Sequence, residues 1–175
     1  MHRYVFASVT ALLALVLTTP VAAQEAGKVG VTMGFPESVG IIWHATDSVA
    51  VRPEFSFGWS STDNDLFESD GTSFGAGLSA LFYVRKWDSL ATYVSPRYTF
   101  TRSTRSFEGP FTDGEADATS HLVSGSFGAQ YWLGDRFSAF GEIGLGYSRS
   151  NDGDEDGSTG SSLSTRSSVG VVFYF

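Results

Sequence analysis

The stretch Val169-Gly170-Val171-Val172-Phe173-Tyr174-Phe175 alternates between two faces of very different character. Side chains of a β-strand point alternately to its two sides. One side here carries only apolar groups, from Val169, Val171, Phe173 and Phe175, and the other carries Ser168, Gly170, Val172 and Tyr174. An uncharged apolar face opposite a small or polar face is typical of a barrel wall that lies between lipid and a lumen.

The same period of two recurs in eight segments that together span most of the chain. The first apolar face is formed by Val29, Val31, Met33 and Phe35, and none of the first three such faces carries a charge. The opposite faces are rich in Gly, Ser and Thr. The alternation predicts an all-β fold, an eight-stranded antiparallel up-and-down transmembrane β-barrel.

Five charged residues on the minority face fall near one level when each strand is counted from the same rim: Arg52, Glu54, Arg97, Glu142 and Arg166. A soluble eight-stranded barrel would turn its apolar face inward, but arginine and glutamate cannot form a dry core. We therefore expect a polar lumen in which these charges pair. An eight-stranded barrel is just wide enough for its side chains to fill, so the cluster is expected to plug the lumen. The alternative is a gated narrow pore with an arginine constriction.

The N-terminal segment has the pattern of a removable secretory signal peptide. A short basic start precedes an apolar run, and Val21-Ala22-Ala23 offers a small-residue cleavage site. The apolar run is shorter than the roughly 20 residues that a spanning helix needs. We predict a signal peptide at residues 1–23 and an outer-membrane β-barrel domain at 24–175. The absence of cysteine excludes a lipoprotein anchor and a disulfide framework.

The predicted connectors alternate between short and long. Tight turns are expected around Asp47, Asp88 and Asp135, whereas the segments 61–72, 106–118 and 151–162 are rich in Gly, Ser, Thr and acid and are expected to be long loops. Short turns on the periplasmic rim and long loops on the outer rim are typical of outer-membrane barrels. The three segments hold 12 of the 19 acidic residues and no Lys or Arg, which argues against a nucleic-acid partner. Their acids either solvate the loops or contact a surface ligand.

Residues 152–157 match the first half of a calcium-binding loop, but its twelfth position is Leu163 instead of a bidentate Glu. The sequence therefore argues against a tight calcium site. Loose divalent binding that bridges lipopolysaccharide phosphates stays a hypothesis.

No catalytic residue and no cofactor site is predicted. Small outer-membrane lipid A deacylases use a His followed two residues later by a Ser, and here His121 is followed by Val123. Without a nucleophile and a base at the required spacing, the chain is expected to be non-enzymatic. A lipid A-modifying enzyme is the least favoured alternative.

The export signal, the eight strands and the terminal aromatic strand resemble the small outer-membrane β-barrel family of the OmpX and OmpA transmembrane-domain type. In that family the C-terminal aromatic strand is recognised by the barrel assembly machinery, which implies that role for Val169, Val171, Phe173 and Phe175. The resemblance also implies a structural or surface-interaction role in the bacterial outer membrane, with the outer loops contacting lipopolysaccharide or other ligands. A small porin-like channel for ions or solutes is the alternative function.

Overall fold

A computed structural model of the chain describes residues 25–36, 38–64, 67–108, 114–153 and 158–175. The predicted signal peptide, residues 1–23, lies outside these ranges and stays a prediction. Eight strands account for most of the described chain, and they are β1 (Val29–Phe35), β2 (Ser38–Thr46), β3 (Val49–Asn64), β4 (Phe67–Lys86), β5 (Leu90–Glu108), β6 (Gly114–Trp132), β7 (Phe137–Asp152) and β8 (Thr159–Tyr174).

The strands form a closed ring in which each pairs antiparallel with its neighbours in the sequence. The ring closes where residues 30–35 of β1 pair with residues 169–174 of β8. Turns at 47–48, 87–89 and 133–136 lie on one rim, here called the turn rim, to which the first and last strand ends also belong. The predicted eight-stranded antiparallel up-and-down barrel is confirmed.

Large apolar side chains cover the outside of the ring. They include Met33, Trp43, Phe127 and Ile143, and the members of this set are 39% to 74% exposed. A contiguous apolar surface of this extent is stable only when something other than water covers it. Buried side chains such as Arg52, Gln130 and Ser138 point inward. This inside-out distribution is that of a transmembrane barrel whose wall meets lipid.

No helix of the described residues is long and apolar enough to cross a membrane.

The segments 61–72, 106–118 and 151–162 are not long loops where the structure describes them, so that prediction was wrong. Residues 61–64 continue β3 and 67–72 begin β4, while 106–108 and 114–118 extend β5 and β6. In the third segment, residues 151–152 end β7 and 159–162 belong to β8. Loop composition and strand structure coexist here because each residue pairs with one on the neighbouring strand, as Asp70 does with Ser61 and Asp117 with Thr104. Serine and threonine are compatible with a solvated strand as well as with a loop, so composition alone does not distinguish the two.

The wall is uneven in height on the rim opposite the turns, here called the tall rim. The β1–β2 connection turns back at residues 36–37, whereas β3 and β4 extend to Asn64 and Phe67. As a result, residues 56–64 of β3 pair with β4 but not with β2, and residues 159–168 of β8 pair with β7 but not with β1. These two segments, the open edges, border a notch above the β1–β2 hairpin.

Two prolines lie inside strands, and each coincides with a gap in one hydrogen-bonded ladder. The β2–β3 pairing skips from Gly40–Glu54 to Trp43–Val51, and Pro53 lies in the gap. The β4–β5 pairing likewise skips past Pro96. Proline lacks the N–H that a ladder requires, so the barrel tolerates each one by omitting local pairing on one side.

Candidate functional site

Aromatic and polar side chains fill the half of the barrel interior nearest the turn rim. Tyr83, Tyr93 and Tyr174 are buried there together with His44 and Gln130. The Tyr83 hydroxyl donates to Gln130 Oε1 at 2.8 Å, and Gln130 Nε2 donates to the Tyr174 hydroxyl at 2.8 Å. His44 stacks on Tyr83 with ring centroids 5.6 Å apart. This hydrogen-bonded packing closes the lumen on the side of the turns.

An ionic cluster lies next to this packing, on the side away from the turn rim. It consists of Arg52, Glu54, Arg97 and Glu142. Arg52 Nη2 donates to Glu142 Oε1 at 2.7 Å, and Arg97 Nη2 donates to Glu142 Oε2 at 2.9 Å. Arg97 Nε lies 3.1 Å from Glu54 Oε2. Arg52 Nε is 3.5 Å from Glu54 Oε1, an ion pair without hydrogen-bond geometry. The structure thus brings together four of the five residues that the sequence placed at one level.

Neutral side chains complete the ionic cluster. The Tyr93 hydroxyl donates to Glu142 Oε1 at 2.9 Å, and the Ser168 hydroxyl donates to Glu142 Oε2 at 3.2 Å. Ser79 donates to Glu54 at 2.9 Å, and the Arg52 guanidinium lies 4.9 Å from the centroid of the Phe140 ring. Two cations and two anions give no net charge. Because its ion pairs join side chains of β3, β5 and β7, the cluster braces these three strands across the lumen.

Arg166 is not part of the ionic cluster, which corrects the prediction that placed it there. Within the described chain Arg166 makes neither an ion pair nor a hydrogen bond, and it is exposed. Its Cγ lies 3.1 Å from the position that a Cβ on Gly146 would occupy, so its stem crosses the inner face of β7. The cause is stagger: Arg166 pairs with Gly144, two residues beyond Glu142 towards the tall rim.

Above the cluster the interior opens into a cavity of about 450 Å³, here called the vestibule. Glu142, Arg97 and Arg166 line it together with Phe140, Leu122 and many serines and threonines. A second cavity of about 580 Å³ lies nearer the tall rim, and its lining includes Arg105, Ser60 and Ser103. The lumen is thus closed on the turn side and open on the other.

The terminal aromatic strand lies on the outer wall. Val169, Phe173 and Phe175 are 59%, 47% and 74% exposed, Val171 is half-buried, and the rings of Phe173 and Phe175 meet edge to face at 5.6 Å. The inward members of the same strand, Val172 and Tyr174, are buried. The geometry leaves the four predicted assembly-signal residues on the outward side, and their role in assembly stays a prediction.

The described residues contain no group of three His, Cys, Asp or Glu side chains that could hold a metal ion. The stretch 152–157 falls mostly outside the described residues, so divalent binding there stays a hypothesis. His121 faces outward, where its Nδ1 lies 2.7 Å from the Tyr98 hydroxyl and its ring is 5.2 Å from that of Phe100. Within the ranges that the structure covers, His121 has no serine hydroxyl among its hydrogen-bond partners.

Sequence reasoning did not identify Tyr93, Ser79, Ser168 and Phe140 as partners of the ionic cluster. The alternation of side chains along each strand puts all four on the inner face, but it does not give their heights within the barrel. Only the register reveals them, since Ser79 pairs with Arg97 and Ser168 pairs with Glu142.

Comparison with known proteins places the fold. No protein-family model and no curated protein matches the sequence. Among solved structures, a major outer membrane protein from Thermus thermophilus is similar, with a TM-score of 0.57, 12% identity, and coverage of 85% of this chain and 98% of that one. Ail, the attachment invasion locus protein of Yersinia pestis, is similar with a TM-score of 0.54, 11% identity, and coverage of 86% and 99%. At such identities the likeness concerns the fold. The chain shares its eight-stranded barrel fold with these two outer-membrane proteins.

Proposed function

We propose that the chain is a non-enzymatic bacterial outer-membrane barrel whose tall rim reaches out of the membrane and mediates surface interactions. The observation that carries the proposal is the height of the wall. A tilted spanning strand needs about 9–11 residues, whereas β4 has 20 and β5 and β6 have 19 each. At about 3.3 Å per residue, the surplus extends some 25–35 Å along the strands.

The orientation follows from the same asymmetry. Short turns typically face the periplasm and longer structures face the exterior. The turn rim would then be periplasmic, and the open edges of β3 and β8 would stand outside the cell. This arrangement also favours contacts of the protruding wall with lipopolysaccharide.

The open edges give the interaction a physical basis. An unpaired strand edge exposes N–H and C=O groups that can accept an additional strand from another chain. Near these edges, Trp59 and Leu163 are 69% and 72% exposed, and they offer apolar contacts for alternate side chains of an added strand. We therefore expect an extended peptide as the ligand type.

Lysine substitutions on the open edges test whether they accept an added strand. Lysine on an edge strand opposes strand addition, so Thr62→Lys combined with Ser162→Lys should weaken capture of a fluorescent, alternating Thr-Val peptide by about tenfold. Ser106→Lys is the matched control because β5 is paired on both sides at that position. Equal capture by the double variant and the control would contradict strand addition.

Membrane location has its own test. Expressed with its N-terminal segment, the chain should enter the outer-membrane fraction and migrate faster on electrophoresis unheated than heated. Recovery in the soluble fraction, with identical mobilities, would refute the proposal. Planar bilayers should show no steady conductance because the described interior below the ionic cluster is filled, and lipid A from the same cells should keep its mass.

Assembly would use the outward aromatic residues at the C-terminal end of β8 and directly after it, Phe173 and Phe175. We expect Phe175→Ala to lower the amount of barrel inserted in cells while leaving detergent refolding unchanged, because the substitution removes an exposed ring and no buried contact of the lumen. Equal loss in cells and in detergent would show that Phe175 stabilises the barrel itself and is not a recognition element.

A further inference from the structure

Most of the described acids in the tall half of the barrel lie on its outward face. Acidic residues of the extended wall, including Asp63, Asp70 and Asp117, occupy positions of the outward series, and Asp117 pairs there with Arg102 at 2.8 Å. The inner face carries Arg105 and Arg166. Among the described residues that line the two cavities, the only acids are Glu54 and Glu142, and both belong to the ionic cluster.

Two inward arginines, Arg105 and Arg166, are available to a ligand. Arg97 is engaged by both glutamates of the cluster, but Arg166 and Arg105 have no ion pair or hydrogen bond within the described chain. Arg166 lines the vestibule, and its stem lies over Gly146, where an added Cβ would come within 3.1 Å of its Cγ. A guanidinium is planar and its donors suit the geometry of carboxylate or phosphate, so an unpaired arginine in the cavity lining is suited to an anionic group.

The remaining lining of the vestibule is rich in hydroxyl groups. Twelve of its 25 lining residues are serine or threonine, distributed over β2 to β8, and they include Ser56, Thr99, Ser124 and Ser164. Hydroxyls act both as donors and as acceptors, so they match a ligand that itself carries several hydroxyls. The cavity volume of about 450 Å³ lies within the range of small-molecule sites.

We infer that the vestibule is a binding site for an anionic saccharide, with Arg166 holding the phosphate or carboxylate and the wall hydroxyls holding the sugar. This site is separate from the open edges and goes beyond the proposed function. Two routes lead to it. Free sugars would enter from the open rim, whereas a phosphorylated glucosamine of a lipid headgroup would enter through the notch above the β1–β2 hairpin, where residues 159–168 of β8 form one border.

The site is tested with the barrel refolded in an uncharged detergent, its folding verified by heat-dependent mobility. Calorimetric titration with glucose 6-phosphate and with glucuronate should show binding, and neutral glucose should bind at least about tenfold more weakly, as expected for loss of one charge-assisted contact. Arg166→Gln should lower the affinity for both anionic sugars by about tenfold. It should fold normally because Arg166 is exposed and has no partner within the described chain.

Arg149→Gln is the matched control, since Arg149 is an exposed arginine on the outward series of the neighbouring strand β7. Its affinity for glucose 6-phosphate should equal that of the unaltered chain. The inference is overturned if neither anionic sugar binds, if glucose binds equally well, or if the Arg166 and Arg149 variants behave alike.

A second arm distinguishes the two sources. In nanodiscs, the guanidinium resonance of Arg166 is compared between bisphosphorylated and dephosphorylated lipid A, without free sugar. A phosphate-dependent shift would identify the lipid headgroup as the source, and no shift together with a shift on adding glucose 6-phosphate would identify a free sugar. Absence of both shifts would overturn the site even if the barrel inserts correctly.

Discussion

Replacing Glu142 by alanine tests whether the ionic cluster braces the barrel. Glu142 accepts hydrogen bonds from Arg52, Arg97, Tyr93 and Ser168 at 2.7 to 3.2 Å, and its side chain is 2% exposed. No other residue of the cluster has as many partners. Its removal therefore changes the surroundings of both arginines at once.

The magnitude follows from what Arg52 retains. Its side chain is 1% exposed, and without Glu142 its nearest carboxylate is that of Glu54, at 3.5 Å and shared with Arg97. Removing one partner of a buried ion pair typically costs about 3–5 kcal/mol because the other charge stays buried without compensation. We expect Glu142→Ala to lower the free energy of unfolding by about that amount.

Urea unfolding in lipid vesicles, followed by tryptophan fluorescence, measures this loss. Glu142→Gln is the matched control: it keeps an acceptor and nearly the same volume, so it should cost less than the alanine variant. Glu68→Ala, at an exposed position of the extended wall, should change stability by less than about 0.5 kcal/mol. An alanine variant at position 142 within that same margin of the unaltered chain would refute the bracing role.

Two further outcomes concern the inner wall and the protruding strands. Gly128→Ala would bring a Cβ into the ring of Tyr93, which is fully buried and held by its hydrogen bond, so urea unfolding should show a loss of about 1–3 kcal/mol. On the protruding part of β6, hydrogen bonds from Thr104 and Arg102 lower the pKa of the Asp117 carboxyl below its ordinary 3.8. This carboxylate stabilises the fold above its ordinary pKa, and its contribution is lost as the pH falls through the lowered value.

Each of these has a simple check. Gly125→Ala, on the same strand but with no atom within 4 Å of the added Cβ, should be close to neutral, and an equal loss in both alanine variants would contradict the contact with Tyr93. Carbon-detected NMR titration follows Asp117 directly. Arg102→Gln should raise its pKa towards the ordinary value, and an unaltered titration would show that this arginine has no influence.

The sequence predicted the barrel because its information is periodic. Two faces of opposite character, repeated eight times, determine strand number, inward and outward sides and the positions of the turns. The same periodicity placed Arg52 and Glu142 on the inner face. It misplaced Arg166, since the height of a residue depends on the stagger between strands, and stagger arises from pairing across the whole ring.

Composition was the poorer guide. The glycine, serine and acid of residues 61–72 are common to loops and to solvated strands, and only the partner strand decides between them. Asp70 is an instance: it reads as a loop residue, yet it pairs with Ser61 on β3 and with Ser106 on β5. Composition therefore predicted one negative rim and did not predict that these acids lie on the outward face of the wall.

Ring closure depends on the shortest strand. β1 has seven residues, and it pairs with β8 only over residues 30–35. Almost the entire sequence lies between these two strands. Bringing such distant segments together carries a large entropic cost, and a short seam returns little for it. The β1–β8 seam should then be the last part of the cylinder to form and the first to separate. Amide exchange in β1 would report opening of the ring well before β4 and β5 lose protection.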